Sequence, residues 1–189
     1  MNLPAPSKSL SGKKRASLPI EVDGEKSLIL DDRAIRSKIS RIAYQIYERN
    51  FGEKKIVLAG IDVRGGYVAD ELAARLRDIS ELRIVTIRAE REINTSSVSI
   101  RKEDEKHIKG SILIVVDDVL YSGLTVFNAI AAVIPFKPLK VQSAVLIDRG
   151  HRNLPVRPDF VGLKLATTLK QHVSVEVSKS GEKVRAFLQ

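Results

Sequence analysis

The chain has 189 residues, 43% hydrophobic, 29% charged and only 5% aromatic, which is enough for one buried core and excludes a disordered or fibrous protein. Zero cysteines exclude a disulfide framework, thiolate metal sites and a cysteine nucleophile, and no apolar run approaches the roughly 20 residues of a spanning helix. Lys and Arg number 32 against 23 Asp and Glu, and the net charge of +9 points to a polyanionic ligand, phosphate or nucleic acid, without choosing between them. A cytoplasmic protein with no membrane partner is the simplest expectation.

Residues 1–20 carry Lys8, Lys13, Lys14 and Arg15, no acid, three prolines and four serines, a composition that predicts a solvated tail over residues 1–26. Ala16 to Ile20 is too short an apolar stretch, and is interrupted by Pro19, to serve as an export signal. From Asp31 or Asp32 as cap, Ile35, Ile39, Ile42, Ala43, Ile46 and Tyr47 recur at helical spacing, with Gly52 as the stop. Lys55 to Ile61 predicts a strand ending in the turn Asp62-Val63-Arg64-Gly65-Gly66, and a second helical pattern runs from Tyr67 to Leu76. Leu82 to Arg88 reads as another strand. Ala89 to Gly110 is charged and aperiodic, so it is either a long mobile loop or a short hairpin.

Ser111 to Val116 is an apolar run suited to a central strand buried on both faces, followed by a helix from about Gly123 to Ile134. Lys140 to Ile147, Phe160 to Leu165, Val173 to Val177 and Lys183 to Phe187 complete the expected strands. Strands alternating with helices imply right-handed parallel crossovers, and hence an open α/β sheet that binds ligands at its carboxyl edge.

The strongest motif is Ile114-Val115-Val116-Asp117-Asp118-Val119-Leu120-Tyr121-Ser122-Gly123-Leu124-Thr125. A buried strand delivers two carboxylates, and a loop of small and hydroxyl residues leads into a helix start. Free backbone N–H groups and the helix dipole suit that loop to a phosphate monoester, while Asp117 and Asp118 can accept hydrogen bonds from a vicinal diol. A phosphorylated ribose satisfies both halves. A plain helix cap would need one acid, not two.

This segment resembles the phosphoribosyl-pyrophosphate signature of the type I phosphoribosyltransferases, with Ser122 in place of the usual threonine. Asp117 to Tyr121, the segment Leu146-Ile147-Asp148-Arg149-Gly150-His151-Arg152-Asn153-Leu154-Pro155-Val156-Arg157-Pro158-Asp159-Phe160-Val161-Gly162, and Leu28 to Asn50 are similar to one branch, the pyrimidine attenuation regulators that are also uracil phosphoribosyltransferases. The resemblance implies a parallel-sheet core flanked by helices over residues 27–189, with a small C-terminal hood from about residue 151. It assigns a 5-phosphate loop to Tyr121, Ser122, Gly123, Leu124 and Thr125, a pyrophosphate loop to Val63, Arg64 and Gly65, and a catalytic centre to Asp117, Asp118 and Arg88. It implies phosphoribosyl pyrophosphate and a nucleobase, most simply uracil, as substrates, with Mg²⁺ borne by the substrate rather than by direct protein ligands. A homo-oligomer is also implied. The three histidines are scattered and form no metal cluster.

Departures from the branch favour an alternative. Where it has Tyr-Arg-Asp-Asp this chain has Ile87-Arg88-Ala89-Glu90, and Leu124 stands where arginine is usual. Loss of a closing loop lowers turnover more than binding, so the alternative is a catalytically weakened, RNA-binding attenuation regulator that senses uridine nucleotides. Its RNA face, carried over by resemblance, is Ser40, Arg49, His151, Arg152, Arg157, Lys164 and Thr168, with Tyr44 where histidine is usual. Arg149 falls in the same basic run, and a leader-transcript hairpin would be the partner.

Overall fold

The computed structural model describes residues 22–23, 26–92, 97–166, 168, 171–178 and 183–189. The sequence-predicted tail therefore lies mostly outside the described residues. Two sheets organise the rest. The larger has the order β5-β4-β3-β6-β7-β8, from β3 (Lys55–Ile61), β4 (Arg83–Arg91), β5 (Val98–Ile100), β6 (Ile112–Leu120), β7 (Lys140–Asp148) and β8 (Phe160–Lys164). All its pairings are parallel except β4 with β5. The smaller is antiparallel, in the order β1-β2-β10-β9, from β1 (Val22–Asp23), β2 (Lys26–Leu30), β9 (Val173–Val177) and β10 (Val184–Leu188).

Side-chain alternation along β3 and β6 divides the interior in two. Ile56, Leu58, Ile112, Ile114 and Val116 face a core shared with α1 (Asp32–Arg49), α2 (Asp62–Ile79) and the inner residues of the small sheet. Val57, Ala59, Ile61, Leu113 and Val115 face the opposite core under α3 (Leu124–Val133). The chain leaves the β3/β6 boundary in opposite directions, to β4 on one side and to β7 on the other. Right-handed crossovers then require α2 and α3 to lie on opposite faces. The same reversal opens a crevice at the carboxyl ends of β3 and β6.

Helix α1 begins as expected, with the Asp31 carboxylate accepting from the Ala34 N–H at 2.7 Å. The segment after β4 is the shorter of the two expected alternatives, a hairpin in which Ala89, Glu90 and Arg91 pair with Ile100, Ser99 and Val98. Two expectations are corrected. Asp62 to Gly66 is the first turn of α2 and not a turn preceding a helix at Tyr67. The glycines serve close packing there, since a Cβ on Gly65 would lie 2.6 Å from the Val116 carbonyl oxygen and one on Gly60 would lie 2.6 Å from the Gly66 Cα. The hood boundary near residue 151 also moves. β8 joins the core sheet, whereas β2 and β1, from the segment around the expected tail, join the small sheet. The reason is that β10 needs an edge partner on each side, and β2 supplies one at Ala186↔Leu30 and Phe187↔Leu28.

Gly65→Ala gains up to about 1 kcal/mol of helix propensity but inserts a methyl against backbone, which typically costs about 1–3 kcal/mol. We expect a lower urea midpoint; an unchanged or higher midpoint would show that α2 can retreat from β6.

Candidate functional site

At the crevice, β6 ends with Asp117 and Asp118, both nearly buried, and the Asp118 N–H donates to the Asp117 carboxylate at 2.9 Å. Burial and the adjacent Asp118 charge push the Asp117 carboxyl well above its ordinary value of 3.8, with Asp62 adding a smaller effect of the same sign. Facing the pair, α2 starts at Ile61, whose side chain provides no cap, so its first-turn N–H groups are open to an anionic ligand. Asp62 holds a left-handed φ of 51° there, stabilised by its carboxylate accepting from the Arg91 N–H at 2.9 Å and pairing with the Arg91 Nε at 3.3 Å.

The segment from Tyr121 to Thr125 turns from β6 into α3. Gly123 takes a φ of 85°, a left-handed conformation that suits glycine, and its side-chain-free N-cap leaves the α3 N-terminus uncapped. The Ser122 Oγ accepts from the Leu124 N–H at 3.3 Å, and the Ser122 carbonyl accepts from the Asn153 N–H at 3.0 Å. Behind the loop the Arg149 guanidinium stacks on the Tyr121 ring at 4.1 Å, and its Nη2 donates to the carbonyls of Thr168, at 3.2 Å, and Gln171. Arg149 is buried, so it braces the loop and does not belong to an RNA face.

The resulting cleft encloses about 480 Å³ and brings Val63 and Arg64 together with Asp117, Asp118, Tyr121 and Thr125. Gly65 touches Asp117 from behind, 3.4 Å from its Oδ1 to an added Cβ. Arg88, carried into the centre by resemblance, lies elsewhere. Its guanidinium pairs with Asp70 at 2.5 Å and covers Gly66, in a neighbouring cleft of about 990 Å³ under the β4–β5 hairpin. The cause is register: in β4 the side chain three residues on, Arg91, is the one that reaches the acid-pair cleft. Sequence reading also missed His172 and Val173, which close the cleft from the small sheet. Only the sheet pairing places them there, because 172 lies far in sequence from 117.

The residues assigned to RNA fall into two groups. Arg49, Arg152, Arg157 and Lys164 line one groove of about 440 Å³, and His151 joins Arg152, Arg157 and Lys164 in the adjoining hollow. Arg152 pairs with the buried Asp148 at 2.5 Å, and Arg49 with Asp159 at 3.3 Å. Arg157 and Lys164 are exposed. Ser40 lies apart, accepting from the Arg75 Nε at 3.1 Å across the α1–α2 contact, while Arg75 lies over the Tyr44 ring. Thr168 is exposed and gives its carbonyl to Arg149.

A crevice at the β3/β6 switch point, with an acid pair flanked by two uncapped helix starts, defines a type I phosphoribosyltransferase. The profile of the phosphoribosyl transferase domain matches residues 25–179, and the chain belongs to that family. Its similarity extends to one branch of it. A protein of Brevibacillus brevis called Bifunctional protein PyrR is 39% identical over 163 residues, covering 82% of this chain and 91% of the relative. The protein of the same name from Bacillus cereus is 36% identical over 175 residues, covering 87% and 97%. Among solved structures, a hypoxanthine-guanine phosphoribosyltransferase of Bacillus anthracis superposes with a TM-score of 0.66 at 18% identity, over 82% of this chain and 88% of that one. Trypanosoma cruzi hypoxanthine phosphoribosyltransferase in complex with IMP gives 0.64 at 20% identity, over 78% and 84%. The last two share the fold.

The raised carboxyl of Asp117 fixes two signs. A folded-state pKa above the unfolded value means that stability falls as pH rises above 3.8, by about 1.4 kcal/mol for each unit of elevation. Asp117→Asn is therefore expected to raise the Tm of the ligand-free protein at neutral pH and to flatten the difference profile against pH. A neutral-pH Tm below that of the wild type would reject the burial cost. An ionised carboxylate accepts hydrogen bonds from a diol, so if Asp117 holds the ribose hydroxyls, affinity for phosphoribosyl pyrophosphate is expected to rise with pH in the wild type and to be lost in the variant, as read by titration calorimetry.

Proposed function

We propose that the chain transfers 5-phosphoribose from phosphoribosyl pyrophosphate to a nucleobase nitrogen, with uracil as acceptor, releasing pyrophosphate and giving uridine monophosphate. The observation that carries this reading is the buried Asp117–Asp118 pair at the end of β6, set between the uncapped starts of α2 and α3. In this reading the Tyr121–Thr125 loop takes the 5-phosphate through backbone N–H groups and the hydroxyls of Ser122 and Thr125. Asp117 and Asp118 accept hydrogen bonds from the ribose 2- and 3-hydroxyls, which orients the anomeric carbon and stabilises its developing positive charge.

Arg64 and the α2 N-terminus receive the leaving pyrophosphate, and Arg91, placed on the rim by Asp62, adds a second cation there. The bond from anomeric carbon to pyrophosphate oxygen breaks as the bond to the base nitrogen forms, and the N–H proton of the base passes to the departing pyrophosphate or to solvent. The base itself enters against His172 and Val173. Oxygen donors in this cleft suit Mg²⁺ carried on the diphosphate, where it neutralises leaving-group charge. Among the described residues no group of three or more His, Cys, Asp and Glu side chains forms a protein cage for a metal. We place the protein in the cytoplasm, supported by the lack of cysteine and by a multiply charged substrate; no described helix is long and apolar enough to cross a membrane.

The test is a base screen with phosphoribosyl pyrophosphate and Mg²⁺, reading nucleotide formation. We expect uridine monophosphate from uracil, and a fall of at least about 100-fold for Asp118→Asn, comparable to loss of one preorganised electrostatic contact. Turnover with no common base would refute the enzyme reading.

A second reading rests on a separate observation, the groove that gathers Arg49, Arg152, Arg157 and Lys164. It is supported as an RNA surface by the resemblance to attenuation regulators and would take a hairpin of a pyrimidine-gene leader transcript. Arg157→Ala is expected to weaken hairpin binding and to reduce the slope of log affinity against log salt by about 1, with uracil turnover retained. Equal affinity of wild type and variant would remove the groove from RNA binding.

A further inference from the structure

The end of the core sheet opposite the acid pair carries features that phosphoribosyl transfer does not use. There the amino ends of β3, β6 and β7 stand in register, with Ile56 beside Ile112 and Ile112 beside Lys140. Hydrogen bonds draw the three preceding loops together. The Leu139 N–H donates to the Ser111 carbonyl at 2.9 Å, the Gly110 N–H to the Lys137 carbonyl at 3.0 Å, and the Lys140 Nζ to the Asn50 Oδ1 at 3.0 Å. Phe51 and Leu139 protrude from this edge, 79% and 71% exposed, and Phe51 is the most exposed of the described aromatic side chains. The Tyr47 ring supports it edge-on, with centroids 6.2 Å apart and planes at 71°.

Cations accompany the ring on these loops. Lys54, Lys109 and Lys137 are exposed, and among the described residues none of them forms an ion pair. Lys137 holds a left-handed φ of 54°, which glycine adopts with less strain. Glu48 and Glu53 are the exposed acids flanking Phe51 in the chain. In the neighbouring groove, by contrast, Arg49 and Arg152 are already paired with Asp159 and Asp148. The two surfaces are continuous, because Arg49 ends α1 and lines the groove, and Phe51 follows two positions later. Spaced lysines suit phosphates, and an open ring suits a base stacked on it. Bases inside a duplex already stack on one another, so the ring calls for unpaired nucleotides. A stable protein partner would need a broader contact than two protruding side chains.

We infer that this edge binds a single-stranded segment of RNA running on from the groove, with an unpaired base stacked on Phe51 and neighbouring phosphates on Lys54, Lys109 and Lys137. The inference rests on the RNA reading of the groove for the rest of the bound molecule, and adds to it an element that reads unpaired flanks. The edge lies at the amino ends of the strands and the acid pair at their carboxyl end, so RNA held here leaves the acid-pair cleft open.

Fluorescence anisotropy with the full chain tests this, with circular dichroism to confirm folding of each variant. The probes are a blunt leader hairpin, the same hairpin carrying about eight unpaired uridines at either end, a length within the range that single-strand-binding modules hold, and the uridine oligomer alone. The extension is expected to tighten binding about tenfold or more, and Phe51→Ala to abolish that gain while leaving the blunt hairpin unchanged. Phe51→Trp is expected to keep it. Lys109→Ala with Lys137→Ala is expected to reduce the slope of log affinity against log salt for the extended probe by about 1.4, at about 0.7 for each lost phosphate contact. A blunt hairpin that fails to bind while the oligomer binds through Phe51 would refute the hairpin reading of the groove and uphold this edge as an RNA surface. An extension that brings no gain would overturn the inference and leave the edge to an acidic protein partner. Phe51→Ala losing as much on the blunt hairpin as on the extended one would overturn it too, by making the ring part of the hairpin surface.

Discussion

The site depends on a contact between backbones. The first turn of α2 lies so close to the end of β6 that a single methyl on Gly65 would collide with the Val116 carbonyl, and Gly60 and Gly66 meet with the same lack of room. Glycine is costly inside a helix, so Gly65 and Gly66 in α2 are tolerated only because close approach yields something else. That approach puts the α2 N-terminus beside Asp117. It sets positive backbone dipoles against a carboxylate that burial and Asp118 hold above its ordinary pKa. The cleft is therefore built with its charges in tension before any ligand arrives. Ribose hydroxyls and a diphosphate would relieve that tension from both sides.

The sequence reading succeeded wherever a short stretch of chain contains its own reason. The β6 run, the acid pair and the loop into α3 are contiguous, so both the strand and the turn into the helix were legible from spacing and residue type. The stripe from Ile35 to Tyr47 likewise predicted α1, and Asp31 caps it as expected. Reading failed where the deciding neighbour is distant. Nothing near Gly65 shows that Val116 will approach it, so the start of α2 read as a turn. Nothing near Arg88 shows that Asp70 will hold it, or that Arg91 and not Arg88 will reach the acid pair.

Net charge, too, was legible as a total and not as a distribution. Arg149 belongs to a run of cations and reads as surface, yet it is buried against Tyr121 and carbonyl oxygens of the segment leading to β9. Its neighbour Asp148 is buried as well and pairs outward with Arg152 in the basic groove. Asp148 at the end of β7 and Arg149 just beyond it thus serve different sides of the molecule: Arg149 braces the Tyr121–Thr125 loop, and Asp148 anchors a cation of the groove.

The small sheet has a consequence for the order in which the molecule can be made. Its β2 lies at residues 26–30, and the partner it needs, β10, lies at residues 184–188. A nascent chain can fold the β3–β8 core as its crossovers emerge, but β2 and α1's first turn wait for the last strand, whose Val184 N–H donates to Asp32 at 3.1 Å. That late, long-range closure carries the largest loop entropy in the fold. It also brings His172 and Val173 over the acid pair. The His172 side of the cleft is therefore the last part of it to exist, and a ribosome-bound chain would hold the Tyr121–Thr125 loop before it held that wall.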